Sequence, residues 1–222
     1  MLNSIFIHNI IKIIYVNFHF LPFKQAIKFP IDVYGKLRIV GNSGKLCING
    51  TIRPGMIKLG SQGRDMFPLD PVILDIRGTL CFNGSFYIGC GSTIRIEPGA
   101  KMAIGTKSRF GAQSILFCED NIKIGSQVEG SWRCQLMDTD RHEIRDVNTG
   151  TVYTSHKPIV IGDNVWIGNN VCINKGTVIP DNTIVASNSF CNKNYSDVAP
   201  FSVLGGIPAK VVSSGKQRVW LH

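Results

Sequence analysis

The 222-residue sequence has few charged residues and contains no C-x-x-C pair. Only 18% of it is charged, whereas 44% is hydrophobic and 23 residues are glycine. Such a composition favours a regular β architecture with many tight turns over a helical bundle. At this length we expect one large domain, or one domain with appendages, around a sizeable hydrophobic core.

The cysteines lack the pairing that a disulfide framework or a zinc knuckle requires. There are seven of them, an odd number, and they are scattered along the chain. This pattern is typical of proteins with reduced thiols, so we expect a cytoplasmic location.

Acidic residues are almost absent from the first 64 positions, which contain one acid, Asp32, against nine Lys or Arg residues. This imbalance indicates an anionic partner, such as a phosphorylated cofactor, a nucleotide-linked substrate or a membrane surface. No basic stretch is interleaved with aromatic residues in a recognised motif, so nucleic acid is not the expected partner.

The N-terminus lacks an uninterrupted apolar run that could span a membrane. The stretch MLNSIFIHNIIKIIYVNFHFLPF is broken by polar residues, and no small-residue cleavage site follows it. We therefore predict an amphipathic, partly helical leader over residues 1–35, in which Pro22 and Pro30 end the helices. The leader either packs on the homotrimer that the repeat pattern predicts below or contacts the inner face of a membrane, and packing is the favoured interpretation.

Apolar residues recur every six positions between residues 159 and 190, with turn-forming residues between them. An α-helix cannot hold a period of six, and a simple strand has a period of two. The pattern therefore predicts an all-β fold, a parallel β-helix with a turn in every hexapeptide unit. The inward positions are Ile161, Ile167, Ile173, Ile179 and Val185.

Three such units close one triangular coil of about 18 residues. The same phase occurs upstream, so we assign residues 36–205 to the solenoid and residues 206–222 to a C-terminal tail. The residue before each inward position should point outward, and all five such residues are apolar, which indicates a buried partner surface and hence a homotrimer. These outward residues are Trp166, Cys172, Val178, Ile184 and Phe190.

The repeat breaks between Leu136 and Ile159, where the sequence is LMDTDRHEIRDVNTGTVYTSHKPI. A solenoid accommodates an insertion only as a loop that leaves one corner. Residues 137–158 are therefore predicted to form an extruded loop that carries His142. Because loops on a rigid scaffold often carry functional groups, we interpret His142 as a functional residue rather than as surface decoration.

The stretches SWRCQLMDTDRH, KPIVIGDNVWIGNNVCINKGTVIPDN and GGIPAKVV resemble the hexapeptide-repeat acyltransferases. Within that family the chain is most similar to the O-acetyltransferases of sugars and surface polysaccharides, over roughly residues 70–212. The resemblance implies a left-handed β-helix, acetyl-CoA as the acyl donor and a sugar as the acceptor. One departure is Asn188, where the family often has glycine.

The resemblance also implies roles for individual residues. The histidine of the catalytic loop, the general base of the family, falls on His142, and the tryptophan that lines the coenzyme site falls on Trp166. Lys193 and Lys210 match lysines that contact the phosphates of coenzyme A. We also assign Gly168 to the coenzyme site, together with Ile184, which should stack on Trp166.

Direct transfer from an acetyl thioester needs a base and an oxyanion donor, but neither a metal nor a covalent enzyme intermediate. A neutral imidazole such as that of His142 suits the deprotonation of an acceptor hydroxyl. Asp140 or Asp138 could orient the ring, and a backbone N–H near Gly168 could stabilise the oxyanion. Trp132 and Asp138 are the candidate acceptor contacts, because a tryptophan beside the loop could stack on a sugar ring.

The sequence therefore predicts an acetyl-CoA-dependent O-acetyltransferase acting on a sugar hydroxyl in capsule or lipopolysaccharide biosynthesis. An N-acetyltransferase of a nucleotide-linked amino sugar, an antibiotic-modifying acetyltransferase and a non-enzymatic trimeric scaffold remain alternatives. A zinc carbonic anhydrase needs three histidines at an interface, whereas only His142 and His156 lie near the coils, so no metal site is predicted. Cys134 and Cys172 are not expected to act as nucleophiles, because no second histidine pairs clearly with them.

Overall fold

The computed structural model describes residues 9–61 and 66–219, and within these ranges it contains two short helices and 24 strands. The helices are α1 (Ile10–Phe20) and α2 (Phe23–Ala26), and the strands are β1 (Ile31–Val33), β2 (Leu37–Gly41), β3 (Lys45–Ile48), β4 (Ile57–Leu59), β5 (Val72–Ile76), β6 (Thr79–Asn83), β7 (Phe86–Ile88), β8 (Thr93–Ile96), β9 (Lys101–Gly105), β10 (Ser108–Phe110), β11 (Ile115–Cys118), β12 (Asn121–Ile124), β13 (Glu129–Gly130), β14 (Gln135–Met137), β15 (Ile144–Arg145), β16 (Val152–Tyr153), β17 (Ile159–Ile161), β18 (Trp166–Ile167), β19 (Cys172–Asn174), β20 (Val178–Ile179), β21 (Ile184–Val185), β22 (Phe190–Cys191), β23 (Val203–Gly206) and β24 (Ala209–Ser213).

The strands form three long sheets that make the sides of a triangular solenoid. The first face has the order β1-β4-β7-β10-β13-β18-β21-β23, the second β2-β5-β8-β11-β14-β19-β22, and the third β3-β6-β9-β12-β17-β20. Neighbouring strands within each face are parallel, and as far as β22 the chain passes from the first face to the second and then to the third in each coil. The architecture is the left-handed parallel β-helix that we expected.

The coils from β17 onward stack with the predicted repeat of 18 residues. Trp166 lies beside Ile184 on the first face, and Cys172 lies beside Phe190 on the second. The inward residues Ile161, Ile167, Ile173, Ile179, Val185 are all buried, as the sequence predicts. Trp166 is exposed, and the other four outward residues are half-buried.

The corners of these coils explain why asparagine recurs in the repeat. Asn164, Asn170, Asn182 and Asn188 adopt positive φ angles of 56°, 56°, 58° and 60°, a left-handed conformation that asparagine tolerates better than most residues. Their side chains also stack in register, since the Asn164 amide donates to Asn182 at 3.3 Å and the Asn170 amide donates to Asn188 at 3.2 Å. Each corner is therefore fixed by backbone conformation and by a ladder of side-chain amides.

The leader covers the N-terminal end of the solenoid. Val16 and Phe20 of α1 are buried and join the apolar core, while the Asn17 side chain donates to the Ile31 carbonyl at 2.7 Å and accepts from the Ile31 N–H at 3.1 Å. The Asn17 side chain thus provides hydrogen-bond partners for the Ile31 backbone groups at the edge of the sheet. Because β1 already pairs with β4, the solenoid begins at Ile31 rather than at residue 36. No helix in the described ranges is long and apolar enough to cross a membrane.

The C-terminal end is closed by a hairpin. Strand β24 folds back antiparallel on β23, so the expected tail after residue 205 contributes a strand to the first face. The Tyr195 side chain is buried below it, and its hydroxyl donates to the Ala209 carbonyl at 3.2 Å. The coil stack is therefore covered at both ends, which solenoids require to stay soluble.

We predict that Asn17→Leu lowers the free energy of unfolding by about 1–3 kcal/mol, because the buried backbone groups of Ile31 lose their partners. Urea unfolding at a fixed protein concentration would measure the change. The exposed Asn49, whose amide donates to Asn83 at 2.8 Å, provides the control, and Asn49→Ala should change stability by no more than about 0.5 kcal/mol. Equal losses in the two variants would contradict the role of Asn17.

Candidate active site

The loop that carries His142 leaves the solenoid between β14 and β17, at the corner between the second and third faces. Its two ends are joined by backbone hydrogen bonds, from the Asp140 N–H to the Ser155 carbonyl at 2.8 Å and from the Lys157 N–H to the Asp138 carbonyl at 3.0 Å. Farther out, β15 and β16 pair as a short antiparallel hairpin. The insertion is therefore an ordered projection from one corner.

Asp138 fixes the base of this loop from inside the corner. Its side chain is fully buried, and its carboxylate accepts from the backbone N–H groups of Glu119 at 2.7 Å and Asp120 at 3.0 Å. Burial raises the pKa of the Asp138 carboxyl, and these backbone hydrogen bonds oppose that rise. The Asp138 carboxylate is therefore buried inside the corner, where its hydrogen bonds go to the backbone, and it is not exposed for contact with an acceptor.

Asp140 is held by a lysine from the next coil. Lys175 Nζ lies 2.6 Å from an Asp140 carboxylate oxygen and 2.8 Å from the Thr154 carbonyl, so one ammonium group ties both limbs of the loop to the solenoid. Sequence reasoning missed Lys175. It occupies a turn position of an otherwise regular repeat, and only the stacking of coils places it beside the loop.

His142 lies on the outer surface of this anchored segment. Its side chain is exposed, and no hydrogen bond from it is found within the described residues. The hydrogen bonds of Asp138 and the ion pair of Asp140 are directed elsewhere. The adjacent Arg141 guanidinium lies 5.5 Å from the centre of the Phe117 ring, which fixes the loop against the second face. The imidazole is thus presented to solvent from a constrained backbone.

The candidate coenzyme residues Trp166, Ile184 and Lys210 share the first face. Trp166 pairs with Ile184 in the ladder, and Lys210 lies in β24, which extends the same sheet. Gly168 lies two residues after Trp166, and its own N–H donates to the Val185 carbonyl at 2.8 Å, so this particular N–H is not available to an oxyanion. Asn188 adopts a left-handed φ, so it provides the turn that glycine often makes in the family.

Lys193 and Trp132 occupy two different corners. Lys193 is exposed just after β22, at the corner that also carries the loop, rather than with Trp166 on the first face. Trp132 lies between β13 and β14, at the corner between the first and second faces, where its ring is 6.3 Å from Phe67. The strand β14 separates Trp132 from the loop, so Trp132 does not lie at the loop base.

The two cysteines considered as nucleophiles are poorly suited to that role. The Cys134 thiol is buried against the Gly168 carbonyl at 3.3 Å, and burial raises its pKa to about 12. Burial also raises the pKa of the half-buried Cys172 thiol. Neither residue would form a thiolate readily at neutral pH.

A single chain keeps the candidate residues in two groups. His142, Asp140 and Lys193 lie at the corner between the second and third faces, whereas Trp166 and Ile184 lie on the first face. In a triangular solenoid, that corner is opposite the first face. One copy of the chain therefore cannot bring the imidazole and the tryptophan together through its coils alone.

Comparison with known proteins agrees with the repeat pattern. A family model described as bacterial transferase hexapeptide (six repeats) matches residues 158–193. The repeat is that of the hexapeptide transferases. No curated protein matches the chain.

Solved structures share the hexapeptide fold. The polySia-specific acetyltransferase NeuO has 21% sequence identity and a TM-score of 0.54, and the alignment covers 86% of this chain and 90% of that one. A hexapeptide transferase family protein from Anaplasma phagocytophilum has 13% identity and a TM-score of 0.52, with 81% and 84% of the two chains covered. At these identities the similarity shows a shared fold.

The hexapeptide coils also carry a contact that sequence reasoning missed. Arg218 of the C-terminal tail lies 2.6 Å from Glu129, and Arg109 lies 2.7 Å from the same carboxylate. The tail thereby returns to the first face, where Gln217 and Arg218 border a cleft of about 210 Å³ beside Ile184. No periodic signal predicts this contact, because 89 residues separate Arg218 from Glu129.

Proposed function

We propose that the protein is an acetyl-CoA-dependent O-acetyltransferase that acts on a sugar hydroxyl in surface polysaccharide biosynthesis. The observation that carries this proposal is an exposed imidazole, His142, on a loop that Lys175 anchors beside hexapeptide-transferase coils. The resemblance of this loop to the catalytic loop of the family supports the same role. The cysteines, which are all free, are compatible with a cytoplasmic enzyme.

The arrangement of the two groups of residues supports a homotrimer. With parallel solenoid axes, the corner that bears His142 in one chain can face the first face of the next chain. This head-to-tail contact uses different surfaces on the two partners, and a threefold rotation closes it into a ring. Trp166 and Ile184 of one chain would then lie opposite His142 of its neighbour, with the reaction in the cleft between them.

In this site, His142 accepts the proton of the acceptor hydroxyl while the hydroxyl oxygen attacks the thioester carbonyl. The carbon–sulfur bond then breaks, and the departing thiolate takes the proton from the imidazolium. Trp166 and Ile184 offer an apolar wall for the pantetheine arm, and Lys210 and Lys193 offer cations for the phosphates. Asp140 acts on His142 indirectly, by holding the loop through Lys175.

We predict that His142→Ala lowers turnover by about a hundredfold to ten-thousandfold, the usual scale for the loss of a general base. Release of free coenzyme A thiol from acetyl-CoA with a sugar acceptor would measure it. His156→Ala is a matched control, because His156 is also exposed on the loop, where its ring contacts the Ser155 hydroxyl at 3.3 Å. A His142→Ala protein as active as the control would contradict the assignment.

We predict that Ile184→Lys weakens the trimer, because it places a charge in a contact that excludes water. Light scattering would show the mass falling toward that of the 24.5 kDa chain. Val40→Lys, at an exposed site on β2 far from this surface, should leave the trimer intact. A monomeric mass for the unmodified protein would contradict the assembly.

A mixing experiment tests whether neighbours share the site. His142→Ala and Trp166→Ala should each be inactive, but mixed trimers would contain some clefts with both wild-type residues. Partial recovery of activity is therefore expected after co-expression. No recovery, despite mixed trimers shown by mass spectrometry, would place both residues in one chain's site.

We further propose that the outer surface of the leader contacts the inner face of a membrane. While α1 buries one side against the solenoid, Ile11 is 80% exposed, Ile10 is 66% exposed and Phe23 is 70% exposed. Lys24 and Lys28 are exposed near these apolar side chains, and anionic lipid complements their charge. The leader thus has one side for packing and another for a lipid surface.

We predict that the protein sediments with vesicles containing anionic lipid, and that the double variant Ile11→Asp, Phe23→Asp does not. Its secondary structure and mass should stay unchanged, because both side chains lie on the outer surface. Val147→Asp, at a 90% exposed position in the catalytic loop, is the control. A loss of trimer mass in the double variant would instead assign the surface to packing between chains.

A further inference from the structure

A second cleft lies in the first face, near the N-terminal end of the solenoid. Its volume is about 570 Å³, within the range of small-molecule sites in proteins. The lining is polar and aromatic, with two cationic side chains and one acid. It comprises Asp32, Tyr34, Arg53, Pro54, Gly55, Met56, Lys58, Ser85 and Tyr87.

One of the two cations in this cleft is held in position by a neighbouring ring. Lys58 Nζ lies 4.9 Å from the centre of the Tyr87 ring, a cation–π distance that keeps the ammonium over the aromatic face. Arg53 is exposed at the rim. Tyr34 hydrogen-bonds to Asp32, and burial together with that carboxylate raises the pKa of Tyr34 to about 12. The phenol therefore stays protonated and its hydroxyl partly offsets the negative charge of Asp32.

The cleft continues toward the proposed reaction centre. A smaller cavity of about 120 Å³, lined by Tyr87, Lys107, Arg109 and their neighbours, adjoins it through their common lining residues Ser85 and Tyr87. Together the two linings contain four cationic side chains and one acidic side chain. Glu129, the next acid along the face, is bound by Arg109 and Arg218. The four cationic residues thus form a basic track along the edge of the first face, made of Arg53, Lys58, Lys107 and Arg109.

The track is in register with Trp166. Successive outward residues pair from Lys58 to Tyr87, then to Arg109, Glu129 and Trp166. With neighbouring strands about 4.8 Å apart, Tyr87 lies about 14 Å and Lys58 about 19 Å from Trp166 along the face. One sugar ring cannot cover this distance, whereas an oligosaccharide that enters the reaction cleft can.

We propose that this cleft binds the carboxylate-bearing sugars of an acidic oligosaccharide while another sugar of the same chain is acetylated near Trp166. The inference rests on the proposed function and specifies its acceptor. Lys58 and Arg53 form charge-assisted hydrogen bonds with sugar carboxylates, and the Tyr34 and Tyr87 hydroxyls bind sugar hydroxyls. A basic track of this length suits a repeating acidic chain better than a single diphosphate group.

Binding without acetyl-CoA tests the cleft independently of catalysis. Calorimetry with hexagalacturonate, maltohexaose and UDP would compare an acidic chain, a neutral chain and a diphosphate. We expect hexagalacturonate to bind, and Lys58→Met to weaken it about tenfold, equivalent to about 1.4 kcal/mol. Lys101→Met, which removes an exposed lysine from the third face, should leave the affinity unchanged. Equal binding of maltohexaose, preferential binding of UDP, or equal effects of the two variants would overturn the proposal.

Steady-state kinetics then tests the cleft assignment separately from the proposed acetyltransferase function. On an acidic acceptor, Lys58→Met should raise the acceptor KM about tenfold and leave kcat and the KM for acetyl-CoA unchanged. If the protein binds hexagalacturonate through Lys58 but transfers no acetyl group to any sugar, the cleft assignment stands and the proposed function fails. If it acetylates acidic and neutral sugars equally well, with or without Lys58, the function stands and the cleft assignment fails.

Discussion

The in-register stacking of successive coils is the constraint on which the rest of the structure depends. Backbone ladders join each strand to its counterparts in neighbouring coils, and the left-handed corners keep every turn at the same level. The Asn164–Asn182 and Asn170–Asn188 pairs show how closely the corners follow one another. Because each coil contacts only its neighbours, a shift in one coil would misplace every functional residue beyond it.

This constraint also determines where chemistry can occur. An insertion inside a strand would break the ladder, whereas an insertion at a corner leaves both neighbouring strands paired. The loop that carries His142 takes the second route, and Asp138 and Lys175 join it to the coils before and after it. The rigid solenoid thus supplies the anchor points, and the loop supplies the exposed imidazole.

Sequence periodicity predicted those features that repeat, and it failed for those that depend on contacts between distant segments. The step of six residues correctly predicted the buried positions from Ile161 to Val185 and the stacking of Trp166 on Ile184. The periodicity could not show that the Asp138 carboxylate points into the corner, or that the Gly168 N–H donates to the Val185 carbonyl of the next coil. Both hydrogen bonds depend on the adjacent coils. The return of Arg218 to Glu129 is likewise invisible to a local pattern.

The triangular cross-section finally links the proposed activity to assembly. His142 projects from the corner opposite the face that carries Trp166, so no rotation of side chains within one chain can join them. In the proposed trimer a neighbouring chain would supply the missing half, and three equivalent clefts would form as the ring closes. Activity of that assembly would depend on protomer concentration, since a dissociated chain would keep its fold and its imidazole but lose the opposing wall of the cleft. In that proposed assembly the apolar outward row that begins at Trp166 would serve two purposes, because the surface that stabilises the trimer would also complete the site.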